Sequence, residues 1–258
     1  MPAVFIGHGS PMNAIEDTPY ARAWAELGRR LPRPRAILAV SAHWVTQGAA
    51  VTDQPRPPTI HDFGRFPRPL FEVQYPAPGA PELVGRVAEL AAPTQVRGAG
   101  DWGLDHGTWS VLVHMYPDAD IPVAQLSLDA GLDGQGHYEL ARRLRPLRDE
   151  DVLVLGSGNI VHNLAASDFT GAASPYAWAE QFEAAALAAI EGRDHLSLIE
   201  PERLAGPEAA SLSIRGPEHY LPLLYAVAQR DAGEPVEVLM PGVVMAAMSM
   251  ACVVVGGA

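Results

Sequence analysis

A single cysteine, Cys252, occurs among 258 residues, so no disulfide framework, cysteine zinc ribbon or iron–sulfur cluster can form within one chain. Lysine-rich and arginine-rich runs are missing, and the net charge is -12 with the histidines neutral. That balance argues against nucleic acid and against anionic membrane surfaces as partners. No apolar run is long enough to span a bilayer: the longest, from Val243 to Val255, is too short and carries Ser249. The start has no basic stretch followed by an apolar one, and the expectation is a soluble, cytoplasmic protein. Several catalytic signatures are missing as well. The chain has no His-Glu-x-x-His zinc helix, no Gly-x-x-x-x-Gly-Lys-Ser/Thr phosphate loop and no Gly-x-Gly-x-x-Gly dinucleotide turn. Gly7-His8-Gly9-Ser10-Pro11 lacks the glycine two places after serine that a nucleophile elbow requires.

What is present is apolar material, 48% of the chain, organised as alternating strands and helices. Val4 to Ile6, Ala36 to Ala42, Ile121 to Leu128, Val152 to Leu155, Val236 to Leu239 and Val244 to Val255 read as strands. Helices are expected from Tyr20 to Leu31, capped by Asp17 or Thr18, and from Pro81 to Ala91. Others are expected from Trp109 to Met115 capped by Thr108, from His137 to Leu147, from Ala177 to Ile190 and from Pro217 to Ala228. The segment 192–213 gives no clear pattern. The alternation predicts one α/β domain over residues 1–258, a three-layer sandwich around a mostly parallel or mixed sheet. The proline-crowded segment from Asp53 to Pro81 reads as a binding loop or lid.

Nine histidines occur. Two of them, His8 and His43, stand at the ends of buried apolar runs, a placement suited to a crevice in an α/β sheet. Their equivalence suggests the first two ligands of a metal. His106 lies in a glycine-punctuated turn at the positive end of a helix, where a neutral imidazole can act as a base. His162 and His219 occupy similar turns, whereas His114, His137 and His195 read as structural or solvated, and His61 falls within the lid. Histidine donors suit zinc or iron, and open positions on iron are what oxygen chemistry requires.

These stretches together resemble a known family. Phe5-Ile6-Gly7-His8-Gly9-Ser10-Pro11-Met12, Val40-Ser41-Ala42-His43-Trp44, Thr59-Ile60-His61-Asp62-Phe63 and Tyr75-Pro76-Ala77-Pro78-Gly79 carry the resemblance, with Asp105-His106-Gly107. So do Gly156-Ser157-Gly158-Asn159 through His162-Asn163-Leu164, and Glu218-His219-Tyr220-Leu221-Pro222-Leu223. In order and end to end they resemble the class III extradiol ring-cleavage dioxygenases, in the branch of 4,5-DOPA dioxygenases. The resemblance implies one divalent metal ion per chain, ferrous iron for activity or zinc as bound, and a catechol and dioxygen as substrates. It places metal ligands at His8, His43 and His219, the last where the wider class has a carboxylate, with Glu218 adjacent. It gives His106 and His162 to proton handling, with His162 also able to join the metal. Trp44 and the lid would wall the ring, and lid residues Arg65 and Arg68 are candidates for a substrate carboxylate. Two rivals stand beside this reading: a zinc-dependent hydrolase of a small amide or ester, and a non-catalytic metal-binding or phenol-binding protein.

Overall fold

The apolar runs that end in His8 and His43 become strands on either side of a third. The computed structural model describes residues 1–257. Among them the strands are β1 (Ala3–Gly7), β2 (Ala36–Thr46), β3 (Ala49–Thr52), β4 (Val96–Ala99), β5 (Val123–Asp129), β6 (Val152–Gly158), β7 (Val236–Leu239), β8 (Val243–Val244), β9 (Met248–Ser249) and β10 (Cys252–Val255). The helices are α1 (Pro19–Arg30), α2 (Arg68–Phe71), α3 (Glu82–Ala91), α4 (His106–Met115), α5 (Gly134–Arg143), α6 (Ala177–Gly192), α7 (His195–Ile199), α8 (Glu202–Ser213) and α9 (Leu221–Val227).

Eight strands form one mixed sheet in the order β4-β3-β5-β2-β6-β1-β10-β7. Its centre, β5-β2-β6-β1, is parallel throughout, while β10 and β7 add antiparallel strands at one edge. The central strands therefore all deliver their C-terminal ends to the same rim, where open α/β sheets bind ligands. Alternation of side chains along each strand feeds two cores. Ala3, Phe5, Leu38, Val40, Val152 and Val154 face one, with α3, α5, α6 and α9 covering it. Val4, Ile6, Ile37, Ala39, Leu153 and Leu155 face the other, against α1 and α4. The result is the expected α/β fold, a mixed sheet flanked by helices on both faces. No helix among the described residues is long and apolar enough to cross a membrane.

Several expectations hold locally. Thr18 caps α1, its hydroxyl accepting from the Ala21 amide at 3.1 Å, and Trp24 and Leu27 are buried from that helix. Three differ. Helix α4 begins at His106 rather than Trp109, because Asp105 and not Thr108 is its cap, accepting the Thr108 amide at 3.2 Å. The run from Val244 to Val255 is not one strand: Met245 and Ala246 adopt left-handed backbone, φ +47° and +63°, and break it into β8, β9 and β10. Strand β4 carries exposed Arg97 and Gly98 at the sheet edge, so no apolar run announces it. The unpatterned segment 192–213 contributes α7 and α8.

The glycine before Asn159 decides how the last histidine reaches the rim. A Cβ at Gly158 would stand 2.1 Å from the His219 carbonyl oxygen, and the Asn159 amide donates to that same oxygen at 2.8 Å. The backbone carrying His219 therefore lies directly on the end of β6. Gly158→Ala is expected to destabilise the fold by about 1–3 kcal/mol through overpacking and to reduce metal uptake. Urea unfolding and metal analysis of the purified variant check both; wild-type values would contradict the close-approach argument.

Candidate metal centre

Five separate stretches bring histidines to this rim. His8 follows β1 by one residue. His43 lies in β2 beyond the point where pairing with β6 ends at Ser41, and the register with β5 shifts between Val40 and Val45. Such an irregularity re-aims a side chain. His106 opens α4, His162 follows β6, and His219 ends a short 3₁₀ turn, Pro217–His219. Gly107 allows the approach of α4, since a Cβ there would meet Ser41 Oγ at 2.5 Å and His43 Cδ2 at 2.9 Å.

The hydrogen bonds fix which nitrogen each ring offers. Ser157 Oγ donates to the Gly107 carbonyl at 2.5 Å, which uses its only proton. It must then accept from His8 Nδ1, 2.9 Å away, leaving His8 Nε2 as a free lone pair. His43 Nε2 lies 3.1 Å from His8 Nε2. Two neutral lone pairs repel at that distance, but it is the spacing of adjacent donors each about 2.1 Å from one ion. Ligand atoms of His8, His43 and His106 all fall within 4.8 Å of one another, a triad that has His106 where the family resemblance implies His219 as the third ligand. The donor set therefore fits a divalent transition metal.

Behind the rings stand anchoring groups. Asp62 Oδ1 accepts the His106 amide at 2.9 Å. Its Oδ2 lies 3.0 Å from His106 Nδ1 and 3.4 Å from His43 Nδ1. Carboxylates so placed orient metal-binding imidazoles and fix their tautomers. His219 has Glu218 Oε1 3.6 Å from its Nδ1, so the neighbouring carboxylate backs the ring. His219 also stacks on His162, centroids 3.5 Å apart and planes within 3°, and its centroid is 5.0 Å from that of His43 and 5.5 Å from that of His8. Beneath, Ser41 Oγ donates to Asp105 Oδ1 at 2.7 Å, and Gln125 bonds the other oxygen.

Burial and mutual repulsion favour the neutral imidazole at His8, His43, His162 and His219. Burial, then His43 and the other rings, pushes His8 well below the ordinary histidine value; burial, then His106 and His219, does the same to His43. Burial and the His219 ring take His162 down to about 3, and burial lowers His219 despite the opposing Glu218. For Asp62 burial works upward, but the hydrogen bonds and charge of His106 outweigh it and hold the carboxyl below its ordinary value. Burial and the charge of Asp62 push Asp105 up to about 6.

The histidines floor a cavity of about 340 Å³ whose other walls include Phe63, Phe66, Leu164, Phe169, Met245 and Met248. Of the wall residues expected from the sequence, the lid supplies Phe63 and Phe66, but Trp44 does not take part. It follows His43 in a strand, points to the opposite face and stacks on Trp102, centroids 5.8 Å apart. Arg68 is exposed and pairs with Glu72 at 2.7 Å, and neither it nor Arg65 lines the cavity. His114 bonds the Asn13 carbonyl, His137 the Tyr225 hydroxyl, His195 the Tyr138 hydroxyl and His61 the Val73 carbonyl; these four are structural. Ser157, Asp62 and Asp105 went unassigned in the sequence, although Ser157 sits between two glycines and Asp62 follows a histidine in the lid.

Residues 2–254 match the family described as the catalytic LigB subunit of aromatic ring-opening dioxygenase. The chain belongs to this family of metal-dependent extradiol ring-cleavage dioxygenases. It is 47% identical over 257 residues, 99% of its length and 95% of the relative's, to a 4,5-DOPA dioxygenase extradiol of Escherichia coli K12. It is 38% identical over 237 residues to the protein of that name in Beta vulgaris, covering 89% of this chain and 86% of that one. The crystal structure of an uncharacterized Escherichia coli K12 protein superposes with TM-score 0.87 at 43% identity, over 99% of this chain and all of the other.

Two measurements test the centre. Ser157→Ala removes the acceptor of His8 Nδ1, and a 10- to 100-fold loss of metal affinity is expected; unchanged affinity in a competition titration would contradict the tautomer assignment. In metal-free protein, unfolded histidines near 6.5 take up protons that the depressed folded-state groups refuse. Stability is then fully present above about pH 6.5 and falls as pH drops toward the folded value near 3 of His162. Each such group contributes a slope of up to about 1.4 kcal/mol per pH unit. Equal urea midpoints at pH 7 and pH 5 would contradict this.

Proposed function

We propose that this protein opens the ring of a 4-substituted catechol, the ring that DOPA carries, beside its diol, incorporating both atoms of dioxygen. One divalent ion per chain is held by His8, His43 and His219, with the stacked His162 at the same face. His106 and His162 handle protons. The observation that carries this reading is the pair of Nε2 atoms of His8 and His43, 3.1 Å apart at the floor of an apolar cavity. Ferrous iron, when bound, supplies neighbouring positions for both diol oxygens and dioxygen and passes electrons between them. Zinc suits the same donors but cannot change redox state.

The chain's own residues do the rest. Asp62 is an acceptor only, so His106 keeps its proton on Nδ1 and presents Nε2 as the atom that takes or returns a proton on a diol oxygen. His162, kept neutral by burial, is available to accept the second diol proton. Phe63 stands edge-on to His106, centroids 5.5 Å apart, and with Phe66 closes the lid side, limiting water at the reacting oxygens. Ser157 holds the ring of His8 in orientation, and the Glu218 carboxylate lies 3.6 Å behind that of His219.

Protein loaded anaerobically with ferrous iron should consume oxygen with a catechol and yield a yellow ring-opened product, whereas zinc-loaded protein should not. His106→Ala should retain metal while turnover falls about 10²- to 10⁴-fold; His8→Ala or His43→Ala should lose the metal. A metal-free His106→Ala protein would overturn the division of roles, and no oxygen uptake at confirmed iron occupancy would overturn the reaction.

A further inference from the structure

We propose that Arg65, in the lid, holds the carboxylate of a substituent on the catechol and so determines which catechols this protein prefers. This rests on the ring-opening reading above and adds what recognises the far end of the substrate. Phe63 and Phe66 both line the cavity, their ring centroids 5.3 Å apart and their planes at 73°. Between them the chain bends at Gly64 and Arg65, and both of these residues are exposed. Arg65 therefore stands at the crest of the bend, on the outer edge of a wall that the flanking phenylalanines build. The space around the crest is open, since a Cβ at Gly64 would meet nothing within 4 Å. Nearby carboxylates are engaged elsewhere: Asp62 turns inward to His106 and His43, and Glu72 pairs with Arg68 at 2.7 Å. Among the described residues the Arg65 guanidinium is left without a carboxylate partner.

A catechol with its diol at the histidines directs a substituent on the far side of the ring away from the floor and toward the mouth. The cavity lining holds no Lys, Arg, Asp or Glu, so a carboxylate drawn down among Phe63, Phe66 and Met248 would lose water without gaining a partner. It comes to rest instead at the mouth, where it stays hydrated and meets a cation. A local cation matters here because the wider field is unfavourable. The chain carries a net charge of -12, and Asp62 and Glu218 stand behind the histidines, so an anionic substrate is repelled on approach. An arginine on the lid offsets that repulsion at one point and presents paired donors that match a carboxylate. The phenylalanines thus take the ring and Arg65 takes the charge. The same cation gives nothing to an ammonium group, so the carboxylate is the end of an amino acid tail that it selects.

Equilibrium binding can be measured without turnover on zinc-loaded protein, by anaerobic calorimetry with 4-methylcatechol, dopamine, L-DOPA and 3-(3,4-dihydroxyphenyl)propanoate. Arg65→Gln should weaken the two carboxylate ligands about three- to tenfold, the range for a charged pair at a solvent-exposed mouth. The same variant should leave 4-methylcatechol unchanged and bind dopamine no more weakly than wild type. Arg65→Lys, which keeps the charge and loses the paired donors, should restore part of the affinity. Arg68→Gln removes an equal charge from the same lid and should leave all four Kd values within about twofold of wild type. Added salt should weaken the carboxylates in wild type and have little effect on them in Arg65→Gln. With iron-loaded protein the loss in Arg65→Gln should fall on KM and spare kcat. Equal weakening of all four ligands, or carboxylate Kd values unmoved by Arg65→Gln, would overturn the proposal while leaving ring opening intact. Selective loss of the carboxylates in Arg65→Gln, with no oxygen uptake from any catechol at confirmed iron occupancy, would uphold the role of Arg65 and overturn the ring-opening reading instead.

Discussion

The hydroxyl of Ser157 is the junction on which the rim depends. It gives its proton to the Gly107 carbonyl at the start of α4 and receives one from His8 at the end of β1, while belonging itself to β6. One buried oxygen thereby ties two strands and a helix N-terminus into a fixed relation. It also decides which His8 nitrogen is left for a metal. Because both its bonds are buried, losing either partner leaves an unsatisfied polar atom, a penalty of about 1–3 kcal/mol. The local geometry is accordingly held firmly.

That junction requires bare backbone around it. Gly107 admits Ser41 and His43 to the start of α4, and Gly158 admits the His219 carbonyl to the end of β6. Crowding of this kind brings five imidazoles together. Burial then favours the neutral form of His8, His43, His162 and His219, and neutral imidazole is the form that binds metals. Packing, protonation and ligand readiness follow from the same compression.

Much of this was legible in the sequence. The apolar runs ending in His8 and His43, and the run ending in Gly156-Ser157-Gly158, identified the central strands and their common rim. They did so because full burial leaves no polar interruption. The edge strand β4 was illegible for the opposite reason: half of its side chains face solvent. Thr108 competed with Asp105 for the cap of α4, and residue type alone does not separate them; the contact of Asp105 with Gln125 and Ser41, distant in sequence, does. Trp44 looked like a wall because of its neighbour, yet strand alternation sends it to the far side. Asp62 and Ser157 act through other side chains, and such service leaves no spacing in the chain to read.

The histidines of the rim are numbered 8, 43, 106, 162 and 219, and so sample almost the whole length of the polypeptide. No contiguous fragment short of that span contains the set. During synthesis the growing chain has His8 and His43 early, but neither faces its eventual companions until β6 and the turn at His219 have left the ribosome. With His219 as a ligand, as proposed above, metal acquisition waits until most of the chain has been made. Because the ion favours only the finished arrangement, it acts as a latch on the whole molecule, and its loss is felt everywhere at once.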